Sequence, residues 1–299
     1  MGIFAGKERY CLARAGEYAP HMSTSLMLLI LAASLLHATW NIIIKSGDNK
    51  LFETGLLTTG GFLLCLLILP FVPLPDARSW PYLAASSCCH TVYYIYLAVA
   101  YEKVDLSLGY TVMRGTAPLI TSLVLLVLGT QLSLPAFGGI LVLCSGILCL
   151  ASDAVRSGAG LRGIEVSLVT AVLIAGYTLL DGLGARESGN GAAYACWLFV
   201  LKMFPLTAYI LLRYRRAYLS YARKRPVPGL LGGVACVLSY GLAIWAMTKA
   251  PIPVVAALRE TSVIFGLLLS IAILHEKFTR LRAIAVLLVA AGAAILKLA

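Results

Sequence analysis

Charged side chains are scarce in this 299-residue chain. They make up 12% of the residues, whereas 60% are hydrophobic and the mean hydropathy is +0.90. Soluble domains carry about 25% charged residues, so the chain has too little charge to cover a water-facing surface, which excludes a soluble globular domain. A membrane-spanning helix needs about 20 apolar residues, and about 30 residues for each span with its loop predict roughly ten spans. The predicted fold class is therefore an all-α polytopic membrane protein of about ten transmembrane helices.

Metal-type cysteine pairs are also lacking. The chain has eight cysteines, and none forms a CxxC pair. Seven of them lie in apolar stretches and are interpreted as small packing residues: Cys65, Cys88, Cys89, Cys144, Cys149, Cys196 and Cys236. We therefore expect no disulfide framework, no metal site and no cofactor.

Hydrolase, metalloprotease and phosphate-loop motifs (GxSxG, HExxH, GxxxxGK[ST]) do not occur. The string from Asp181 to Arg186 resembles the DGxxAR core of membrane CDP-alcohol phosphotransferases, which use carboxylates to hold metal. The wider pattern fails, because Thr178 and Ala195 stand where an Asp and a Gly are needed and no aspartate follows. Without clustered carboxylates a divalent cation has no hard oxygen ligands. We expect no catalytic residue, and an intramembrane enzyme stays the alternative.

Apolar segments of near-spanning length follow one another along most of the chain. Residues 1–25 precede them and are interpreted as an N-terminal tail, either disordered or a misassigned start. The ten segments are 26–44, 54–72, 80–100, 106–128, 135–151, 163–181, 191–212, 229–248, 253–274 and 281–297.

A half-repeat relates the two ends of the chain. At an offset of 146 residues, the polar interruption 113–116 aligns with 259–262, each inside an otherwise apolar segment. This predicts two repeats of five helices, residues 26–152 and 163–298. Since five is odd, the second repeat would be inverted relative to the first, which is typical of transporters.

Basic residues are distributed unevenly among the loops. Of the 18 Lys and Arg residues in loops, 14 follow odd-numbered spans. The positive-inside rule therefore predicts that this face is cytoplasmic and that both termini lie outside. The three basic residues of the tail argue for the opposite orientation. The basic run from Arg213 to Arg225 lies between two spans, so we expect a headgroup-contacting loop and no nucleic-acid partner.

Polar side chains inside spans are costly and are therefore candidates for lining a substrate pathway. His37 and Asn41 lie one helical turn apart on the first segment, with Trp40 beside them. His90 and Tyr94 repeat this spacing on the third segment. Hydrogen bonding between helices is the alternative role for such residues.

Charged residues interrupt the fourth and ninth segments. Arg114 shares a helix face with Tyr110, and Pro118 is predicted to kink the helix just beyond them. Arg259 and Glu260 point in neighbouring directions, so we expect the partner of Glu260 on another helix, with Arg114 the simplest choice. An arginine here would bind a carboxylate or phosphate, and Glu260 a proton or an amine. A buried salt bridge that locks the two halves is the alternative.

The remaining candidates lie in the second half. Asp181 follows Tyr177 by one turn near the end of the sixth segment, where a solvated helix end is the alternative. Trp197 and Tyr240 would stack on a ligand or its cation, or pack in the core. Lys202 is a weaker candidate because a lysine can snorkel to the membrane surface.

Three stretches of the chain resemble the drug/metabolite transporter superfamily in its ten-helix EamA-type branch. They are 35–41 (LLHATWN), 256–262 (AALRETS) and 274–278 (LHEKF), the last similar to the family's Gly-Glu loop. The sequence departs from the family at Gly129-Thr130, where Gly-Glu is common. The resemblance implies two inverted repeats, a central cavity and alternating access that moves amino acids, other metabolites or drugs, often outward. It also implies cytoplasmic termini, against the loop charges.

We therefore expect a secondary transporter in the plasma (inner) membrane that exports a small polar or amphipathic metabolite. Its expected partners are that metabolite, the lipid bilayer and protons as coupling ions. Glu260, His37 and Asp181 are the proton-coupling candidates, because carboxylates and imidazoles exchange protons. A non-transporting sensor or scaffold is the second alternative, besides the enzyme.

Overall fold

The computed structural model describes residues 22–103, 106–158, 160–274 and 279–299. These ranges are mostly helical and contain no β-strand, and two single-turn 3₁₀ helices, Leu69–Phe71 and Ala77–Ser79, lie between the second and third α-helices. Most of the predicted tail and the 275–278 part of the last family motif lie outside the described residues. The helices are α1 Thr24–Ser46, α2 Lys50–Ile68, α3 Trp80–Lys103, α4 Leu106–Val127, α5 Leu134–Arg156, α6 Ile164–Glu187, α7 Gly191–Lys224, α8 Pro226–Met247, α9 Ile252–Arg259, α10 Ser262–Leu274 and α11 Arg280–Leu298.

Short polar side chains mark where several of these helices begin. The Ser23 hydroxyl accepts a hydrogen bond from the Leu26 amide at 3.2 Å, and Asn190 Oδ1 accepts from Ala192 and Ala193 at 3.1 Å. Such caps satisfy backbone donors that the first helical turn leaves free.

Most of these helices are long enough to span a membrane. Within the described ranges, nine segments are long and apolar enough to cross a bilayer. The predicted third span, α3, has 24 residues but more polar ones. The predicted ninth span consists of two helices, α9 and α10, which together count as one of the nine. The prediction of an all-α polytopic membrane protein is confirmed.

The first five and last five spans interlock. Helix α3 packs on α6 while α8 packs on α1, and α4 packs on α6 while α10 packs on α1. Helix α5 packs along α11, and α2 along α7. Each contact joins a helix before residue 157 to one after residue 163, so the centre of the molecule is built from both halves.

Small residues permit two of these close approaches. A Cβ on Gly233 of α8 would lie 2.7 Å from the amide nitrogen of Gly61 in α2. A Cβ on Gly292 of α11 would lie 2.6 Å from the amide nitrogen of Leu143 in α5. Such close backbone contacts are common between membrane helices. Helix association in apolar lipid depends on close packing, because the lipid gives no hydrophobic driving force for it.

Helix α4 is continuous through Pro118, and the Ser122 hydroxyl donates to the Pro118 carbonyl at 2.7 Å. One local expectation requires correction. The basic run after residue 212 is not a loop, because α7 continues to Lys224 with one non-helical residue, Tyr214. The Tyr218 hydroxyl of this extension donates to Thr59 Oγ1 at 2.9 Å, which holds the helical extension against α2.

Candidate functional site

The break between α9 and α10 lies inside a buried span. Helix α9 ends at Arg259 and α10 begins at Ser262. The Glu260 amide donates to the Ala257 carbonyl at 3.0 Å, a three-residue spacing tighter than that of an α-helix. Arg259 is 6% exposed and Glu260 3%. Helices broken inside the bilayer are a recurring element of transporter binding sites.

Arg114 of α4 binds this break. Its Nε lies 2.8 Å from Glu260 Oε2, and both side chains are about 95% buried. Its Nη2 donates to Ser262 Oγ at 3.1 Å and contacts His37 Nε2 of α1 at 3.0 Å. Because a guanidinium only donates, His37 Nε2 must accept here, which requires a neutral imidazole. The Tyr110 ring centroid lies 5.8 Å from the Arg114 guanidinium carbon.

Arg114 is the partner that the sequence predicted for Glu260, and the two side chains form the buried salt bridge that was the alternative to a binding role. In this conformation Arg114 and Glu260 neutralise each other, and their neighbours use further donors of the guanidinium. Neither charge is therefore available to a substrate while this pair is intact.

A second polar group surrounds Tyr240 of α8. The Tyr240 hydroxyl donates to Asp181 Oδ2 at 2.5 Å, and the Tyr194 hydroxyl donates to Asp181 Oδ1 at 3.3 Å. The Tyr240 ring centroid lies 4.3 Å from Lys202 Nζ and 4.6 Å from the Arg259 guanidinium carbon. Two cations from α7 and α9 therefore lie against one aromatic ring.

Aromatic rings extend this group toward α3. His90 stacks on Tyr177 with ring centroids 4.1 Å apart and an interplanar angle of 25°. His90 Nδ1 is held by the Ser86 carbonyl at 2.9 Å, which places the proton on Nδ1. Tyr177 also meets the ring edges of Tyr93 and Tyr240. Together the rings form a wall beside the cations that suits a planar apolar group.

Most of the predicted site residues lie in or next to these two groups. The residues brought together are His37, Tyr110, Arg114, Glu260, His90, Tyr177, Asp181, Tyr240 and Arg259.

The four other predicted residues contact aromatic rings or the backbone of their own helix. Trp40 meets the His37 ring edge-on at 4.7 Å, whereas the Asn41 amide bonds the His37 carbonyl of its own helix at 2.8 Å. Tyr94 contacts the neighbouring Tyr93 ring. The Trp197 ring packs against Trp80, with centroids 5.0 Å apart.

The solvated-end alternative for Asp181 is wrong. Helix α6 continues to Glu187, so Asp181 lies within it and is 0% exposed. The segment prediction ended too early because charged residues lower the hydropathy of the last helical turns, although those turns remain packed against neighbouring helices.

Lys202 is the functional candidate that sequence reasoning undervalued. It does not snorkel, since it is 6% exposed and its Nζ lies 4.2 Å from the Phe199 ring centroid. Its depth was the available signal: α7 begins at Gly191, and 1.5 Å per residue places Lys202 about 16 Å along the helix, halfway across a bilayer of about 30 Å. Tyr194 and Ser262 carried no comparable signal.

Among the described residues, no group of three or more His, Cys, Asp or Glu side chains is placed to hold an ion. The arrangement instead offers paired and unpaired charges, hydroxyl donors and aromatic faces, which suit the binding of a small organic molecule.

Known proteins were compared with this chain by sequence and by structure. No curated protein matches the chain. A solved structure titled only "Crystal structure of protein" superimposes with a TM-score of 0.69 at 17% identity, over 92% of this chain and 98% of that one, and so shares the fold. Residues 161–298 match the EamA-like transporter family. This match covers slightly less than half of the chain and confirms the resemblance to EamA-like transporters that the sequence indicated.

Proposed function

We propose that the chain is a secondary transporter that exports a small polar or amphipathic metabolite across the plasma (inner) membrane by alternating access. The match of residues 161–298 to the EamA-like transporter family supports a multi-pass membrane transporter. The observation that carries the finer proposal is the charged break between α9 and α10, which α1 and α4 hold at the centre of the molecule. Such breaks place charged groups and free backbone at mid-membrane.

The proposal includes two inverted repeats, residues 26–152 and 163–298. The interhelical contacts support it, because they occur in pairs that exchange when the first five spans are swapped with the last five. The pair α3 with α6 corresponds to α8 with α1, and α4 with α6 corresponds to α10 with α1. Two matched halves around a central site are the architecture that alternating access requires.

Ion pairs on one face would hold that side shut. At the ends facing the loops after odd-numbered spans, Glu53 of α2 pairs with Arg225 and accepts from the Tyr221 hydroxyl at 2.6 Å. On the same face Asp153 of α5 pairs with Arg282 of α11 at 3.2 Å. Both pairs connect the two halves, so we propose that they break when this face opens.

Proton coupling is proposed through Glu260, with His37 and Asp181 as the other candidates. Protonation of Glu260 would remove its Coulomb attraction to Arg114 and release the break from α4. His37 accepts from the same guanidinium, and Asp181 accepts from two tyrosines, so each would also change partners on protonation.

Two other classes of function are less well supported. Members of this family are transporters rather than enzymes, which disfavours an intramembrane enzyme. A scaffold or sensor needs no costly charges inside spans, whereas this chain buries Arg114, Lys202, Asp181, Arg259 and Glu260.

Proteoliposome flux tests the proposal. The purified protein, reconstituted on a solid-supported membrane, is exposed to concentration jumps of amino acids, organic acids and amines, with protein-free liposomes as the blank. We expect a saturable response to at least one class, retained by the exposed-site variant Lys249→Gln and reduced in Arg114→Gln. Binding without flux would indicate a sensor, and chemical conversion of a ligand in detergent would indicate an enzyme.

A further inference from the structure

Buried charges in the described part of the chain fall into two sets. Most have a hydrogen-bonding or ionic partner: Glu53 with Arg225, Asp153 with Arg282, Glu260 with Arg114, and Asp181 with Tyr194 and Tyr240. Lys202 and Arg259, each 6% exposed, form no ion pair or hydrogen bond with any described residue.

Both unpaired cations rest on aromatic faces instead. Lys202 Nζ lies 4.2 Å from the Phe199 centroid and 4.3 Å from the Tyr240 centroid, and Arg259 lies over the same Tyr240 ring. Cation–π contacts recover only part of the hydration that a buried cation loses. Buried cations are normally paired, so these two lack a counter-charge that a ligand would supply.

The neighbouring carboxylates do not fill this role. Both oxygens of Asp181 accept tyrosine hydroxyls, and no ion pair within 4.0 Å joins it to Lys202. Glu260 is taken by Arg114. The central groups thus contain three cations and two carboxylates, an excess of one positive charge that a monoanion neutralises.

We propose that Lys202 and Arg259 bind the carboxylate of a small organic monoanion, whose apolar part packs on the ring wall of His90, Tyr93 and Tyr177. A guanidinium and an ammonium supply charge-assisted donors to a carboxylate. A phosphate dianion would overcompensate the single excess charge. The proposal rests on the proposed function, since it names the substrate class of that transporter.

Ligands that differ only in charge test this assignment. The purified protein is melted with phenylacetate, phenylacetamide or phenethylamine, which share an aromatic body and are anionic, neutral and cationic. A ligand that binds the folded state raises Tm by mass action. We expect phenylacetate to raise Tm and the other two to leave it unchanged. A shift with the amide or the amine instead, no shift with phenylacetate, or a shift with inorganic phosphate alone would overturn the proposal.

Substitutions locate the binding. Lys202→Met and Arg259→Gln should each weaken phenylacetate binding by about 10- to 100-fold, because each removes a charge-assisted hydrogen bond. Lys202→Arg, which keeps the charge, should retain most of the affinity. The matched controls Lys249→Gln and Arg78→Gln alter exposed cations and should leave binding unchanged. Undiminished binding in Lys202→Met or Arg259→Gln would overturn the site.

Ligand-free stability separates lost binding from lost folding. Removing an unpaired buried cation should leave Tm unchanged or raise it, so both variants should fold without ligand. A fall in Tm as large as that of Arg114→Gln would show that Lys202 and Arg259 already have stabilising partners in the ligand-free protein, and would overturn the proposal.

Flux measurements distinguish the two proposals. Phenylacetate binding without flux contradicts the transport proposal alone. Flux of neutral or cationic solutes without phenylacetate binding contradicts the anion site alone.

Discussion

At the scale of single residues, Glu260 and Lys202 represent opposite solutions for a buried charge. Glu260 meets the Arg114 guanidinium at 2.8 Å, whereas the Lys202 ammonium lies over the Phe199 and Tyr240 rings and forms no ion pair with a described residue. The first arrangement makes each partner depend on the other for stability. The second leaves a charge ready for a ligand, so substitutions at the two positions should differ in sign.

Glu260→Gln should destabilise the protein by about 3 kcal/mol, because it leaves the Arg114 cation buried without its counter-charge. Thermal unfolding of the purified variant measures the loss. The double variant Arg114→Gln/Glu260→Gln is the control, and it should recover part of the lost stability because no uncompensated charge remains. Equal losses in the single and double variants would show that the pair does not stabilise the fold.

Glu260→Gln should also abolish the dependence of transport on a pH gradient, since an amide cannot take up the proton that would release Arg114. The measurement is flux in liposomes with and without an imposed gradient, using whichever solute the wild type transports. If the variant keeps the gradient dependence of the wild type, Glu260 is not the coupling group, and His37→Gln and Asp181→Asn become the next variants to compare.

At the scale of helices, α2 and α8 approach so closely that side chains are excluded from their contact. Gly60 and Gly61 of α2 face Gly233 of α8, and the nearest neighbours of an added Cβ are backbone atoms. Backbone cannot move aside as a flexible side chain can. The contact joins the two halves of the chain, so its geometry also bears on how the halves move.

Gly233→Ala should therefore destabilise the protein by about 1 to 3 kcal/mol, the usual cost of overpacking. A lower Tm of the purified variant would show the effect. Gly241→Ala on the same helix is the matched control, because its Cβ would meet nothing closer than 3.9 Å and alanine favours helix. A Gly233→Ala variant as stable as Gly241→Ala would mean that α2 and α8 have room for a side chain at their contact.

At the scale of the whole molecule, orientation follows from the distribution of basic residues. Of the 18 Lys and Arg residues that the sequence assigned to loops, 14 follow odd-numbered spans, and five of these 14 lie in the helical Arg213–Lys224 part of α7. Basic residues on a helix favour contact with the anionic headgroups of the cytoplasmic leaflet, so we expect this face to be cytoplasmic.

Cysteine labelling in intact cells tests the orientation. In a background without the native cysteines, Gln131→Cys and Arg216→Cys place one exposed thiol on each face. A membrane-impermeant maleimide should label position 131 and spare position 216, which becomes reactive after permeabilisation as an internal control. The reverse pattern would place both termini in the cytoplasm, as the family resemblance implies.

The sequence alone determined that this protein lies in a membrane, and it located most of the spans. Membrane insertion depends on the hydropathy of about 20 consecutive residues, which is a local property of the sequence. The sequence also singled out Arg114, Arg259 and Glu260, since a charge in an apolar run stands out without any structure. The depth of Asp181, the packing of Trp197 on Trp80 and the helical run beyond residue 212 depended on neighbouring helices. The half-repeat already suggested that Arg114 pairs with Glu260, and the tertiary structure brings the two together across 146 residues. Only the tertiary structure decided that Lys202 and Arg259 pair with no carboxylate of the described residues and lie on the Tyr240 ring instead, because contacts between distant helices leave no mark on local composition.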